Sequence, residues 1–329
     1  MGLPTSSLRG HPRVAFWHMW HFSLLSGERD GATPANSRER GNAAVRFESE
    51  SGVVENLPWA HLRLPPFPRV AIRVLQLASN ENVQLHQLCE LISSDPAFAS
   101  EVLTVANSVL YSPRYPSSNI MQAVAVLGAN TLQGMCITVG ARAYLGKSMS
   151  YPAMRGVWRH NLACAIIAGR MASAGSLDRD TAYTSGILHD IGRIALAVIL
   201  PKEYASLLGS HRGSPDSILE GERGLFGGDH CETGRRLISE WKLPTEFGPI
   251  VSEHHCAHWP EAAWGMAELV RISCRMADSA GFPAFPGCET TPYPELLEEL
   301  PARERERFCP DLETLAAEVA SGIHAIESV

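Results

Sequence analysis

From Val70 onward, apolar residues recur at close to 3.6 positions, and almost nothing in the chain reads as a strand. Val70, Val74, Leu75 and Leu77 fall on one helical face, and Leu85, Leu88, Leu91 and Ile92 repeat the pattern. Asp95-Pro96 reads as an N-cap followed by proline at the first helical position. The helix it opens turns Phe98, Val102, Leu103 and Ala106 inward. Ser117 or Ser118 is expected to cap the next helix, with Ile120, Val124, Val126 and Leu127 on its core face and Gly128 as its stop. A long helix then runs to about Leu145. In the second half, helices are expected over 158–174, 180–200, 217–226, 230–241, 244–255 and 262–280. There is no internal repeat, and no heptad run is long enough for a coiled coil.

The fold class that follows is all-α: a bundle of short helices over 57–150 packed on a second helical core over 151–280. Residues 1–56 are rich in Gly, Ser, Arg and Asn, show no sustained period, and read as a disordered leader. Leu64-Pro65-Pro66-Phe67-Pro68 is a rigid run that delivers the chain into its first helix. Residues 281–294 hold four prolines and two glycines and read as loop, and the tail 281–329 closes with one helix near 312–326.

Charge narrows the partners. A net charge of -7, with charged residues at 19%, provides no basic surface for a nucleic acid polymer. The eight cysteines are scattered, with no CxxC pair, and most sit in apolar helical patterns where a thiol packs as a small hydrophobe. A reduced, cytoplasmic setting is expected. The apolar stretch Val14 to Leu25 is too short to span a bilayer and carries His18 and His21, so no membrane partner is expected.

The thirteen histidines are not spread evenly in kind. His160, His189, His230, His254 and His255 all fall in the second half, on expected helices or at their ends, and Asp190 and Asp278 join them. Singly, each has an ordinary explanation as a surface residue or a hydrogen-bonded core group. The segment Ser185-Gly186-Ile187-Leu188-His189-Asp190-Ile191-Gly192-Arg193 resists that explanation, because its His and Asp stand among apolar residues. A buried carboxylate without a partner costs several kcal/mol, and a cation is the usual remedy. On one helix, His189 and Asp190 would project about 100° apart, leaving room for ligands from other helices. Gly192 removes a side chain and lets a neighbouring element come close.

The order His160, His189-Asp190, Asp278 resembles the H…HD…D pattern of the HD superfamily of metal-dependent phosphohydrolases. His230 and the His254-His255 pair resemble the fuller ligand set of its HD-GYP branch, but Cys256-Ala257-His258-Trp259-Pro260 stands where that branch carries Gly-Tyr-Pro. Six features in order resemble the HDOD domain, a signalling branch of the same superfamily: Leu64-Pro65-Pro66-Phe67-Pro68; Ser94-Asp95-Pro96-Ala97; Ala106-Asn107-Ser108; Ala123-Val124-Ala125-Val126-Leu127-Gly128; Gly186-Ile187-Leu188-His189-Asp190-Ile191-Gly192-Arg193; and Trp241-Lys242-Leu243-Pro244 ahead of His254-His255.

The resemblance implies an all-α fold spanning 57–280 and a bacterial signalling or regulatory module, acting through signalling proteins or a small nucleotide ligand. HDOD domains are generally regarded as lacking demonstrated hydrolase activity, and many have lost metal ligands. This copy keeps a nearly complete set. The implied metal arrangement is one site of His160, His189, Asp190 and Asp278, with Asp190 bridging to a second of His230, His254 and His255. One or two divalent transition-metal ions are expected, with iron, manganese and zinc all suited to these ligands. Arg193 is a candidate phosphate contact or a structural salt bridge, and Glu222 is expected to orient helices rather than to ligate. Two other readings stand beside the regulatory one: a phosphohydrolase on a nucleotide or cyclic dinucleotide, and a hydrogen-bonded histidine core with no metal.

Overall fold

The computed structural model describes residues 66–78, 85–111, 113–255, 264–308 and 310–328, all within one compact unit, Ala44–Val329. The leader expected over 1–56, the stretch Val14 to Leu25 and the segment from Cys256 to His258 lie outside the described residues. Among the described residues there is no strand, only an isolated bridge between Gly213 and Cys288.

The first half forms helices α1 (Arg69–Ala78), α2 (Leu85–Ser93), α3 (Pro96–Ala106), α4 (Ile120–Leu127) and α5 (Ala129–Leu145). Asp95 caps α3 as expected, its Oδ1 accepting from the Phe98 amide at 3.1 Å. The cap of α4 is Asn119, not Ser117 or Ser118, with Oδ1 accepting from the Gln122 amide at 2.9 Å. The serines are engaged elsewhere: Ser118 Oγ donates to Gln122 Oε1 at 2.9 Å, and the Ser117 amide donates to Asn107 Oδ1 at 2.7 Å. The inward face of α4 also shifts. Ala123 is buried and Val126 is 58% exposed, so the buried face runs through Ile120, Ala123 and Val124. Gly128, at φ 88°, separates α4 from α5 in a conformation that favours glycine.

The second half begins with α6 (Pro152–Ala174), followed by α7 (Arg179–Leu188), α8 (Ile191–Ile199) and α9 (Pro201–Ser210). The helix expected over 180–200 is thus two helices, broken at His189 and Asp190. Asp190 leaves helical geometry (φ -102°, ψ 24°) and starts α8 as an N-cap residue. Burial on both sides of the break explains why the apolar pattern runs through it without interruption.

Then come α10 (Ile218–Phe226), α11 (His230–Glu240), α12 (Phe247–Glu253), α13 (Met266–Ser279), α14 (Tyr293–Glu298), α15 (Ala302–Arg307) and α16 (Leu312–Glu327). Asp229 and Glu232 close a capping box at the start of α11. Two short helices, α14 and α15, therefore stand between the tail's loop and its expected last helix. Six residues are too few to display a 3.6 period, which hid them in the sequence.

A single hydrophobic core runs through both halves. Helix α6 lies at its centre, packed by α7, α13 and α16, while α8 packs on α11. Phe67 joins the halves: its ring lies 5.3 Å from Tyr144 and 4.9 Å from Trp241, within the range of favourable aromatic contact. Gln76 Nε2 also donates to the Trp241 carbonyl at 2.6 Å.

Candidate metal centre

Five parts of the fold deliver polar side chains to one place. His160 comes from the middle of α6, His189 and Asp190 from the α7–α8 break, His230 from the first turn of α11, and His254 and His255 from the end of α12. Helix α13 adds Cys274 and Asp278. His160, His189, Asp190, His230, His254, Cys274 and Asp278 are all buried.

The approach of these elements depends on glycine. A Cβ built at Gly192 would collide with the His230 carbonyl and lie 2.6 Å from the Gly234 amide, so α8 and α11 pack backbone against backbone. A Cβ at Gly186 would lie 2.8 Å from the Ala165 amide, so α7 closes on α6 in the same way.

Each imidazole is fixed from its Nδ1 side by an oxygen. His189 Nδ1 meets the Gly186 carbonyl at 2.7 Å, His254 Nδ1 the Val251 carbonyl at 3.1 Å, and His160 Nδ1 the Phe282 carbonyl at 2.9 Å. His230 Nδ1 lies 2.6 Å from Glu222 Oε2, and His255 Nδ1 lies 3.0 Å from Asp216 Oδ1. An oxygen acceptor at Nδ1 selects the tautomer protonated there and leaves Nε2 as a lone pair. The Nδ1 contacts therefore orient five imidazoles, the arrangement in which metal-bound histidines are held.

Those donor atoms gather in two groups: Asp190 with His230, His254 and His255, and His160 with His189 and Cys274. The grouping differs from the sequence expectation in one respect. Asp278 is not in either group. It stands behind His160, its Oδ1 3.3 Å from Nδ1 and accepting from the Ala284 amide at 3.2 Å, while Cys274 Sγ, one turn earlier, lies 3.3 Å from His160 Nε2. Asp190 lies between the two groups. Its Oδ1 lies 3.3 Å from His230 Nε2 and 3.2 Å from His254 Nε2, and its Oδ2 accepts from Arg193 Nε at 2.7 Å and is 3.8 Å from His189 Nε2. Arg193 thus pairs with the cluster's own carboxylate.

Glu222 orients the cluster, as its position suggested. Its Oε2 accepts from the His230 amide at 2.9 Å, and its Oε1 accepts from Tyr204 Oη at 2.5 Å. Cys274 and Asp216 were not singled out in the sequence. Cys274 shares a face with Asp278 at a spacing of four, which is a readable signal on a helix. Asp216 sits in a loop, with no pattern to mark it.

Burial pushes His189 down to about 3, and the nearby His254 and His160 add to the effect against the pull of Asp190. His254 and His255 are lowered too, by burial first. His230 goes the other way: burial and Arg193 oppose its charge, but Glu222 and Asp190 outweigh them and push it up to about 10. Burial works against the Asp190 carboxylate as well, yet Arg193, His189 and His230 hold it well below the usual range.

Four donor atoms in this cluster are buried with no hydrogen-bond partner: Asp190 Oδ1 and the Nε2 atoms of His189, His254 and His255. Buried polar atoms nearly always have partners, and each orphan costs roughly 1–3 kcal/mol. The set consists of imidazole, carboxylate and thiol donors, which suits a divalent transition metal.

A helical domain centred on histidines and an aspartate at a helix break is of the HD class. Within that class the chain belongs to the HDOD domain family, whose model matches residues 64–257. An uncharacterized protein of Treponema pallidum (strain Nichols) is 26% identical over 204 residues, covering 60% of this chain and 39% of that one. The chain thus spans about two fifths of the length of that curated relative. An HDOD domain protein of unknown function from Geobacter sulfurreducens is similar in structure, with a TM-score of 0.62 and 25% identity, covering 81% of this chain and 92% of that one. A candidate signal transduction protein from Marinobacter aquaeolei VT8 shares the fold, with a TM-score of 0.61 and 20% identity over 80% of this chain and 59% of that one. Among the described residues, no single helix is long and apolar enough to cross a membrane.

Proposed function

We propose that this chain is a signalling module of HDOD type that holds one or two divalent transition-metal ions. It acts by binding a partner protein or a small nucleotide ligand, not by turnover. The observation that carries the metal reading is the set of oriented, partnerless donors around Asp190. A core without metal would leave the buried Nε2 atoms of His189 and His255 without hydrogen-bond partners and Asp190 Oδ1 with only the imidazoles of His230 and His254. His230, His254, His255 and Asp190 would hold one ion, and His160, His189 and Cys274 a second. A thiol in the second group favours zinc or iron over manganese.

The hold of Asp190 Oδ2 on Arg193 supports binding over turnover, because it takes up the guanidinium that could otherwise hold a substrate phosphate. Bound ions would supply an acidified water and a polarised phosphoryl oxygen. A phosphohydrolase is therefore the second reading. It is favoured by a cavity of about 470 Å³ that reaches His254, His255 and Cys274 from outside.

The test is to load the full chain with iron, manganese or zinc and assay it against nucleoside monophosphates and cyclic dinucleotides, with Asp190→Ala as control. The expected result is retained metal and no hydrolysis above the control. Hydrolysis that Asp190→Ala abolishes would overturn the binding-only reading.

A further inference from the structure

The cavity beside the cluster has a second set of walls. Besides His254 and His255 it is lined by Arg271, Arg275, Thr291 and Glu299. Arg271 and Arg275 stand one turn apart on α13 and share a face, on the same helix as Cys274. Both reach a single carboxylate. Arg271 Nη2 donates to Glu299 Oε2 at 2.7 Å, and Arg275 Nη1 donates to Glu299 Oε1 and Oε2 at 2.7 and 2.6 Å. Arg275 Nη2 donates to Thr291 Oγ1 at 3.2 Å.

Two guanidinium groups converging on one carboxylate, with Thr291 Oγ1 bonded to the second of them, make a geometry that also fits a phosphoryl group. Glu268 also holds Arg271, with Nε and Nη2 at 3.1 and 2.6 Å from its oxygens, and Asp216, in the cavity wall, interacts electrostatically with both arginines; Glu299 is the carboxylate hydrogen-bonded to Arg275. These side chains are part-exposed, 15% for Arg271, 25% for Arg275 and 32% for Glu299, so the pair is screened by solvent and open to competition from a solute anion. His254 and His255, whose buried Nε2 atoms are without partners, also line this cavity.

We propose that Arg271 and Arg275 form a phosphoryl-binding site at the approach to the metal cluster, and that Glu299 occupies it as an intramolecular competitor. A phosphate monoester or diester must displace Glu299 from both arginines to face the cluster. The role of the cluster as a metal centre is taken from the function proposed above, whereas the contest for the arginines is independent of it.

The experiment is calorimetric titration of the metal-loaded full chain with inorganic phosphate and with adenosine monophosphate. Wild type, Glu299→Gln and Arg275→Gln are compared at one salt concentration, and metal content is measured on every sample. Glu299→Gln is expected to bind phosphate about tenfold more tightly and Arg275→Gln about tenfold more weakly, or about 1.4 kcal/mol each way. Tighter binding of the nucleotide than of phosphate assigns the ester as ligand, and equal binding assigns the free ion. Fully loaded protein whose phosphate affinity is unmoved by Glu299→Gln overturns the competitor while sparing the metal centre. Metal-free protein that still gains affinity does the reverse. Should a variant fail to fold, phosphate must slow arginine modification of the wild type by phenylglyoxal, and absence of protection overturns the site.

Discussion

Arg193 Nε donates to Asp190 Oδ2 at 2.7 Å inside the protein, with both side chains 1% exposed. The guanidinium also lies 3.8 Å from Glu222, so one cation faces the two carboxylates that organise the cluster. Breaking such a buried pair by removing one partner costs about 3–5 kcal/mol. Arg193→Met is therefore expected to destabilise the metal-free chain by about that amount, measured by chemical denaturation in chelator. The loss should shrink when metal is present, since an ion at Asp190 supplies the missing positive charge.

Gly192 tests the backbone contact that places His230. Gly192→Ala puts a methyl group into the His230 carbonyl and must separate α8 from α11. Overpacking of this kind costs about 1–3 kcal/mol. The variant should melt lower and bind metal more weakly, whereas Gly156→Ala, at a site with open space, should do neither.

The metal-free chain should have a stability maximum near neutrality. His189, held down to about 3 by burial, contributes stability above its unfolded pKa of about 6.5 that is lost as pH falls toward 3. His254 and His255, lowered for the same first reason, deepen that acid arm. His230 has the opposite sign. Pushed up to about 10, it contributes stability that is complete below about 6.5 and lost as pH rises through 10. Thermal melts in chelator should therefore fall on both sides of about pH 6.5. Metal must displace the His230 proton to bind, so its affinity should rise by up to about tenfold per pH unit above neutrality. A flat melting profile would contradict these assignments.

The thiol offers a spectroscopic check on the second group. With cobalt in place of the native ion, a sulfur-to-metal charge-transfer band is expected in the wild type and should vanish in Cys274→Ser. Asp278→Asn should keep the band and weaken metal binding about 10–100-fold, as removal of a histidine's supporting carboxylate does. A cobalt-loaded wild type without the band, or a band unchanged in Cys274→Ser, would remove Cys274 from the ligand set.

Much of the cluster was legible in the sequence because its chemistry conflicts with its surroundings: His189 and Asp190 stand in an apolar run, and only a partner makes that tolerable. Helix faces such as Phe98 and Val102 were legible because packing repeats along them. The break at Asp190 was not, since both helices flanking it are buried and the apolar period does not falter. Cys274 was concealed by its own duality, as a thiol in a buried helix packs like any small apolar residue. Glu299 was out of reach because its partners, Arg271 and Arg275, come to it through tertiary contact with a six-residue helix.

The central claim is that the partnerless donors around Asp190 hold metal, and elemental analysis of the full chain purified without chelators tests it most directly. The account predicts at least one transition-metal ion per chain in the wild type, a marked loss in Asp190→Ala and His254→Ala, and a lower melting temperature after chelation. Wild-type protein free of iron, manganese and zinc, refusing all three on addition and melting at the same temperature with and without chelator, would contradict it.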